Sequence, residues 1–180
     1  MATSFGPPSK AQLHASKNKG IRDVIAPDLR VLFVGINPGL YTAFTGHHFA
    51  RPGNRFWPTL RGAAFSARLL HPSEQGELLR NGCGITNLVN RATARAEEVA
   101  PAEFAAGRRR LAAKVRRYRP RVVAFLGVGA YCHAFGIKTA ALGKQLDRFE
   151  GAEVWVLPNP SGLNANYQLP DLVKLFRQLR

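Results

Sequence analysis

Two short loops hold the residues best suited to chemistry: Gly35-Ile36-Asn37-Pro38-Gly39-Leu40 and Asn159-Pro160-Ser161-Gly162-Leu163-Asn164. Each follows a run that reads as a buried strand, Val31 to Ile36 before the first and Glu153 to Leu157 before the second. Both are dense in Pro, Gly and neutral amides, a composition that makes rigid turns whose backbone N–H groups can face a ligand. Asn37 can orient a water molecule, and Gly162 permits close backbone approach with Leu163 projecting from a turn. The same composition also suits two tight turns whose Asn side chains bond their own backbone.

Other chemistries are poorly supplied. No G-x-G-x-x-G follows a strand, and Gly143-Lys144 lacks both the upstream Gly and the following Ser/Thr of a P-loop. Gly127-Val128-Gly129 reads as a tight strand-to-helix turn. Ser161 sits in Pro160-Ser161-Gly162 and not in a G-x-S-x-G elbow. The pairs His47-His48 and Cys132-His133 are adjacent in sequence, which one strand or helix cannot easily present to a single metal, so no metal site is expected. Asp occurs only at 23, 28, 147 and 171, none beside the two loops, and a paired acid/base mechanism is not legible.

The elements that must position these loops belong to a chain of 180 residues, the length of one ordinary domain, with 46% hydrophobic residues. Its 26 Lys and Arg against 11 Asp and Glu leave a formal charge of +15, which attracts polyanions at long range and makes nucleic acid the first suspect. Two cysteines, Cys83 and Cys132, exclude a disulfide framework and a four-thiolate site made from this chain alone, and suit a reducing cytoplasm. There is no apolar signal core, and no run approaches the roughly 18 apolar residues of a membrane span, so a soluble intracellular protein is expected.

Residues 1–22 have four basic residues, no acidic one and no usable periodicity, and read as a mobile basic arm; residues 23–180 read as one domain. Within the domain, Asn54 is placed to cap a helix carrying Phe56 and Leu60 inward, and Pro72 to Arg80 reads as a helix stopped by Asn81-Gly82. A short strand follows from Gly84 to Val89. Pro101 to Tyr118 is a longer helix with Phe104, Leu111, Val115 and Tyr118 at helical spacing, and Val122 to Leu126 is a second buried strand. A terminal helix carries Leu172, Phe176 and Leu179 on one face. Strands alternating with helices indicate an α/β fold: a three-layer single domain with a central, mainly parallel sheet flanked by helices. Its ligand site is expected beyond the carboxyl ends of the strands. The run from Arg108 to Arg121 holds eight of the 26 basic residues in 14 positions and supplies much of the field, as a solvated face or as a phosphate-contacting one.

Three blocks in order, G-I-N-P-G-L at 35–40, G-H-H-F-A-R-P-G-N-R-F-W at 46–57 and L-P-N-P-S-G-L-N at 157–164, resemble the mismatch-specific uracil-DNA glycosylases, the bacterial relatives of thymine-DNA glycosylase. The similarity covers about residues 23–179. It implies the α/β fold already reached, and a monofunctional enzyme that flips uracil, chiefly opposite guanine, out of duplex DNA and hydrolyses its N-glycosidic bond, initiating base excision repair. It implies no cofactor, double-stranded DNA containing U·G mismatches as the partner, no membrane, a monomer, and action at the nucleoid of a bacterial cytoplasm.

Carried over residue by residue, the resemblance makes Asn37 the catalytic asparagine that positions the attacking water, and Phe49 the aromatic on which the flipped base stacks. Ile36 lies in the loop whose backbone helps to bind the base, and Thr42, beside Tyr41, stands where a pocket wall can admit or exclude a 5-methyl group. Gly162-Leu163-Asn164 matches the segment that enters the duplex, with Leu163 as the wedge. Two departures stand out: Ala165 follows the wedge where some relatives have Arg, and Asn87 occupies a pocket-side position where a relative can have a charged residue. Asn87 is therefore a candidate second polar group in the pocket. Two rival readings are a lyase using Lys144 in a Schiff base and a basic module that binds damaged DNA without hydrolysing it.

Overall fold

The computed structural model describes residues 7–180. Five strands form one sheet in the order β2-β1-β3-β5-β4, with β1 Val31–Gly35, β2 Cys83–Asn87, β3 Val122–Leu126, β4 Gly143–Phe149 and β5 Ala152–Leu157. The first four strands in that order are parallel; β4 runs antiparallel to β5 at the edge. Six α-helices among the described residues accompany them, α1 Lys10–His14, α2 Leu40–Thr45, α3 Phe56–Gly62, α4 Pro101–Tyr118, α5 Val128–Phe135 and α6 Leu169–Arg177, with 3-10 helix at Pro72–Asn81 and Ala96–Glu98.

The three layers follow from the two-residue period of the strands. Val31 and Phe33 of β1, with Ala124 and Leu126 of β3, face a core shared with Phe56, Trp57 and Leu60 of α3 and Leu172 and Phe176 of α6. Leu32, Val34, Val123 and Phe125 face the opposite core, shared with Phe104, Leu111 and Val115 of α4 and Ala130, Tyr131 and Ala134 of α5. Both faces of β1 are fully covered, which is why its sequence reads as an uninterrupted apolar run. This is the α/β arrangement expected.

Three differences from the sequence reading have physical causes. Pro72–Asn81 winds as 3-10 helix and not as α-helix, still stopped by Gly82 in the left-handed conformation. β4 has no counterpart in the reading, because Lys144, Gln145, Asp147 and Arg148 give an edge strand the polarity of a loop. The third concerns the N-terminus. Residues 1–6 of the expected arm lie outside the described residues, but the rest is not a free arm. Ser9 and Gln12 cap α1 reciprocally, Ser16 and Ile21 are buried, and Asn18 N–H donates to the Ala92 carbonyl at 2.9 Å. What holds this segment is mainly backbone bonding, which leaves no hydrophobic period to read.

Candidate active site

The carboxyl ends of β1, β2, β3 and β5 surround a cavity of about 580 Å³. Its wall includes all three motif blocks. Ile36, Asn37, Thr42, Phe49, Asn87, Leu163 and Asn164 all line it; of the expected site residues, Gly162 alone is missing from the wall.

Asn37 sits in the turn after β1, and its amide orientation is forced. Nδ2 donates to the Arg91 carbonyl and to Thr93 Oγ1, both at 2.8 Å. A carbonyl only accepts, so the NH2 group must face Arg91. The Thr93 hydroxyl in turn spends its proton on the Arg95 carbonyl at 2.7 Å. Both Nδ2 protons are thereby used, and Oδ1, which accepts no bond from the described residues, is left to the cavity. Asn159 does the opposite: its Oδ1 accepts from Ser161 N–H at 3.0 Å, so it shapes its own turn.

Phe49 follows α2 and the left-handed Gly46. It adopts φ +54, unusual for a residue with a side chain, and stacks on the buried Phe56 ring at 4.1 Å between centroids. Its neighbour His48 holds this backbone from three sides. His48 N–H donates to Gln75 Oε1 at 2.8 Å, Trp57 Nε1 donates to the His48 carbonyl at 3.1 Å, and His48 Nε2 donates to the Arg22 carbonyl at 3.0 Å. Among the described residues neither His47-His48 nor Cys132-His133 belongs to a cluster suited to a metal.

Burial pushes the His48 imidazole down to about 4, against the smaller upward pulls of the Arg22 hydrogen bond and Asp23. The sign follows directly. Below pH 6.5 the unfolded chain takes up a proton that the folded chain refuses until about pH 4, so stability falls as pH drops through that window. Urea unfolding at pH 7 and pH 4.5 should show the protein losing about 2 kcal/mol more than its His48→Gln variant, since carboxylate effects are common to both. Equal losses would show that His48 is not held neutral.

Gly35 keeps the cavity floor open: a Cβ there would lie 2.5 Å from Asn87 Oδ1 and 3.4 Å from Phe49 Cζ. Asn87, at the end of β2, is only 9% exposed, yet its side-chain amide bonds no described residue and lines the cavity. Thr42, buried on α2, supplies another part of the wall.

The loop after β5 ends in Leu163, an apolar side chain 75% exposed at the rim. That exposure excludes a role as a core anchor. Asn164 Nδ2 closes the loop by donating to the Asn159 carbonyl at 3.0 Å. Gly162 is needed because a Cβ would meet the Gly53 carbonyl at 2.5 Å, the close approach that joins this loop to the second motif block.

Sequence reasoning missed two parts of the site. The segment from Thr93 to Glu97 forms a whole side of the cavity and contributes its one acidic lining residue, Glu97. No motif marked it. Arg55 grips the loop after β5: its guanidinium donates to the carbonyls of Gly162 at 3.1 Å, Asn164 at 3.0 Å and Tyr167, while its own N–H donates to the Pro160 carbonyl at 2.9 Å. Its place in the R-F-W stretch was the available signal. Lys144, by contrast, stands on edge strand β4, paired with Glu153 at 3.0 Å and absent from the cavity wall.

A profile of the uracil DNA glycosylase superfamily matches residues 22–180. The chain belongs to that superfamily. Among solved structures it is similar to the solution NMR structure of a protein from Methanosarcina acetivorans described as a "putative Uracil DNA glycosylase". The two share 17% identity with a TM-score of 0.58, over 90% of this chain and 98% of that one, a likeness that speaks for the fold.

In this superfamily member the charge near the site differs from the charge that dominates the sequence. Arg51 and Arg95 line the cavity, and among the described residues neither pairs with a carboxylate. The end of the basic run lies elsewhere. Arg121 N–H bonds the Leu29 carbonyl, Arg119 pairs with Asp28 and Arg116 with Glu150, all at the opposite end of the strands, about 15 Å away at strand rise. Substituting Arg116, Arg117, Arg119 and Arg121 together by Gln should therefore leave the salt slope of DNA binding unchanged. Arg51→Ala and Arg95→Ala should each reduce it by about one unit. Anisotropy titrations across a salt series read this, and a slope that falls with the quadruple variant would return the run to the DNA.

Proposed function

We propose that this protein is a monofunctional DNA glycosylase that flips uracil, chiefly opposite guanine, out of duplex DNA and hydrolyses its N-glycosidic bond with a positioned water. The observation that carries this reading is the fixed Asn37 amide, with both Nδ2 protons committed to the protein and Oδ1 turned to a cavity of about 580 Å³. An acceptor held this way binds a water proton and aims the water oxygen at a reacting carbon. It does not remove the proton as a carboxylate would, so turnover is slow beside that of glycosylases with Asp at this place.

The rest of the wall suits a flipped pyrimidine. Phe49, backed by Phe56, offers a ring for stacking. Asn87 has both an amide donor and an acceptor without partners among the described residues, which match a carbonyl and the N3–H of uracil. Ile36 and Thr42 close the cavity around them. As the glycosidic bond breaks, positive charge builds on the sugar and negative charge on the base; amide donors around the base stabilise the latter and the DNA phosphates offset the former.

Extrusion costs a few kcal/mol of pairing and stacking, least for a mismatched base, which favours U opposite G over U opposite A. Leu163 at the rim is the side chain placed to fill the vacated stack, with Gly162 and Asn164 carrying the loop toward the opposing guanine. A 5-methyl group would meet the Thr42 wall, a distinction of about 1–3 kcal/mol. No described helix is long and apolar enough to cross a membrane, and action as a monomer on nucleoid DNA in a bacterial cytoplasm completes the proposal.

A single-turnover assay on labelled duplexes with one U·G, U·A or T·G pair, and on single-stranded U, tests it, with alkali cleavage to reveal abasic sites. Release from U·G faster than from U·A, without a borohydride-trapped adduct, is expected. Tight binding with no abasic product would overturn the enzymatic reading, and a trapped adduct would overturn the hydrolytic one.

A further inference from the structure

The groups that orient Asn37 are themselves held by the N-terminal segment. Asn18 N–H donates to the Ala92 carbonyl and Ala92 N–H to the Lys19 carbonyl, both at 2.9 Å. Ile21 N–H donates to Asn90 Oδ1 at 2.8 Å, and Arg91 Nη1 donates to Asn18 Oδ1 at 3.1 Å. Residues 90–92 thus bond residues 18–21 through their backbone and through two side chains. The contact is tight: a Cβ on Gly20 would lie 2.7 Å from Asn90 Nδ2, and Asn18 itself takes a left-handed φ of 65 to make the turn. On its other side the same loop presents the Arg91 carbonyl and Thr93 Oγ1 to Asn37. Arg91 is braced further by a fork onto Glu103, at 2.7 and 2.9 Å.

We propose that residues 16–21 are a strap that sets the loop 90–93, and through it the carboxamide of Asn37, with Asn90 as a positioning residue for the pocket. Deleting an Asn90 acceptor leaves Ile21 N–H without its partner and frees the loop to shift. A carbonyl displaced by even an ångström no longer dictates which way the Asn37 amide points. The strap touches neither the cavity nor DNA-facing Leu163, so its effect falls on orientation and not on affinity.

The rate consequence rests on the glycosylase reading above; the orientation does not, and the test separates them. In the full-length protein, Asn90→Ala removes the acceptor and Asn90→Asp retains one. Proton exchange of the Asn37 side-chain amide, followed by 15N NMR, should quicken at least about fivefold in Asn90→Ala, while backbone amides of Val31 to Val34 stay protected and Asn90→Asp resembles the parent. Base release in single turnover should slow about tenfold in Asn90→Ala, with DNA affinity within about twofold, and should slow no further when Asn90→Ala is added to Asn37→Ala. Gly20→Ala, which drives a methyl group into Asn90 from the other side, should reproduce both effects. Unchanged Asn37 amide exchange in Asn90→Ala and Gly20→Ala, or rate losses that add fully to that of Asn37→Ala, would overturn the strap. If the parent protein releases no base, the glycosylase reading fails while the amide exchange still decides this one.

Discussion

Asn37→Ala is expected to slow single-turnover release of uracil from a U·G duplex by at least about 100-fold, with DNA affinity changed by no more than about threefold. The expectation follows from how little else is available to aim a water. Oδ1 is the cavity-facing acceptor that the protein holds in one orientation through two bonds of 2.8 Å on the same amide. The cavity's one carboxylate-bearing residue, Glu97, is exposed and comes from a different loop. Removal of the carboxamide deletes the acceptor and leaves the Arg91 carbonyl and Thr93 hydroxyl facing a gap that water can fill, so folding should survive. A loss below about fivefold would transfer the water to another group, with Glu97 the first to examine.

The second large effect is expected at Arg55, a residue that lines no part of the cavity. Arg55→Ala removes the donors to three carbonyls of the segment that presents Leu163. Those carbonyls can turn to water, so the cost is not unfolding but the loss of a preformed loop. Release from U·G duplex at subsaturating enzyme should fall about tenfold or more, equivalent to about 1.4 kcal/mol of ordering no longer met in advance. Release from single-stranded uracil, where there is no stack to fill, should change by less than about threefold. Arg55→Lys should not restore the duplex rate, because a point ammonium cannot span three carbonyls as a planar fork does. Equal losses on both substrates would show that the clamp supports the cavity itself and not the loop that presents Leu163.

The parts of this molecule that were legible in its sequence are those where burial writes a period. Val31 to Val34 is apolar on both faces because helices cover both faces, and α4 runs over the residues its spacing indicates, Pro101–Tyr118. The two amide-rich loops were visible because their Gly, Pro and Asn residues answer to local turn geometry. Asn159 and Gly162 show that geometry directly. What stayed hidden depends on contacts between distant segments. Thr93 and Arg91 matter through the groups they offer Asn37 across more than 50 positions of sequence, and nothing about Arg91-Ala92-Thr93 is unusual in itself. In the sequence His48 is only half of an adjacent pair unsuited to a single metal, whereas in the fold it is neutral, buried and fixed, so that Phe49 can hold a left-handed backbone beside it.

The Arg91 carbonyl has a bearing on how this site can change over generations. It tolerates only a donor at the Asn37 side chain, so Asn37→Asp would place a carboxylate oxygen 2.8 Å from another acceptor in place of an NH2 group. Two oxygens at that distance repel unless one is protonated, and a protonated carboxyl is not a base. The one-atom exchange that would turn the proposed water-orienting site into a proton-abstracting one is therefore opposed by a backbone atom, which moves only if the loop 90–93 moves. Descent toward a carboxylate mechanism would have to begin with a rearrangement of the loop 90–93, before there was any gain in rate to reward it.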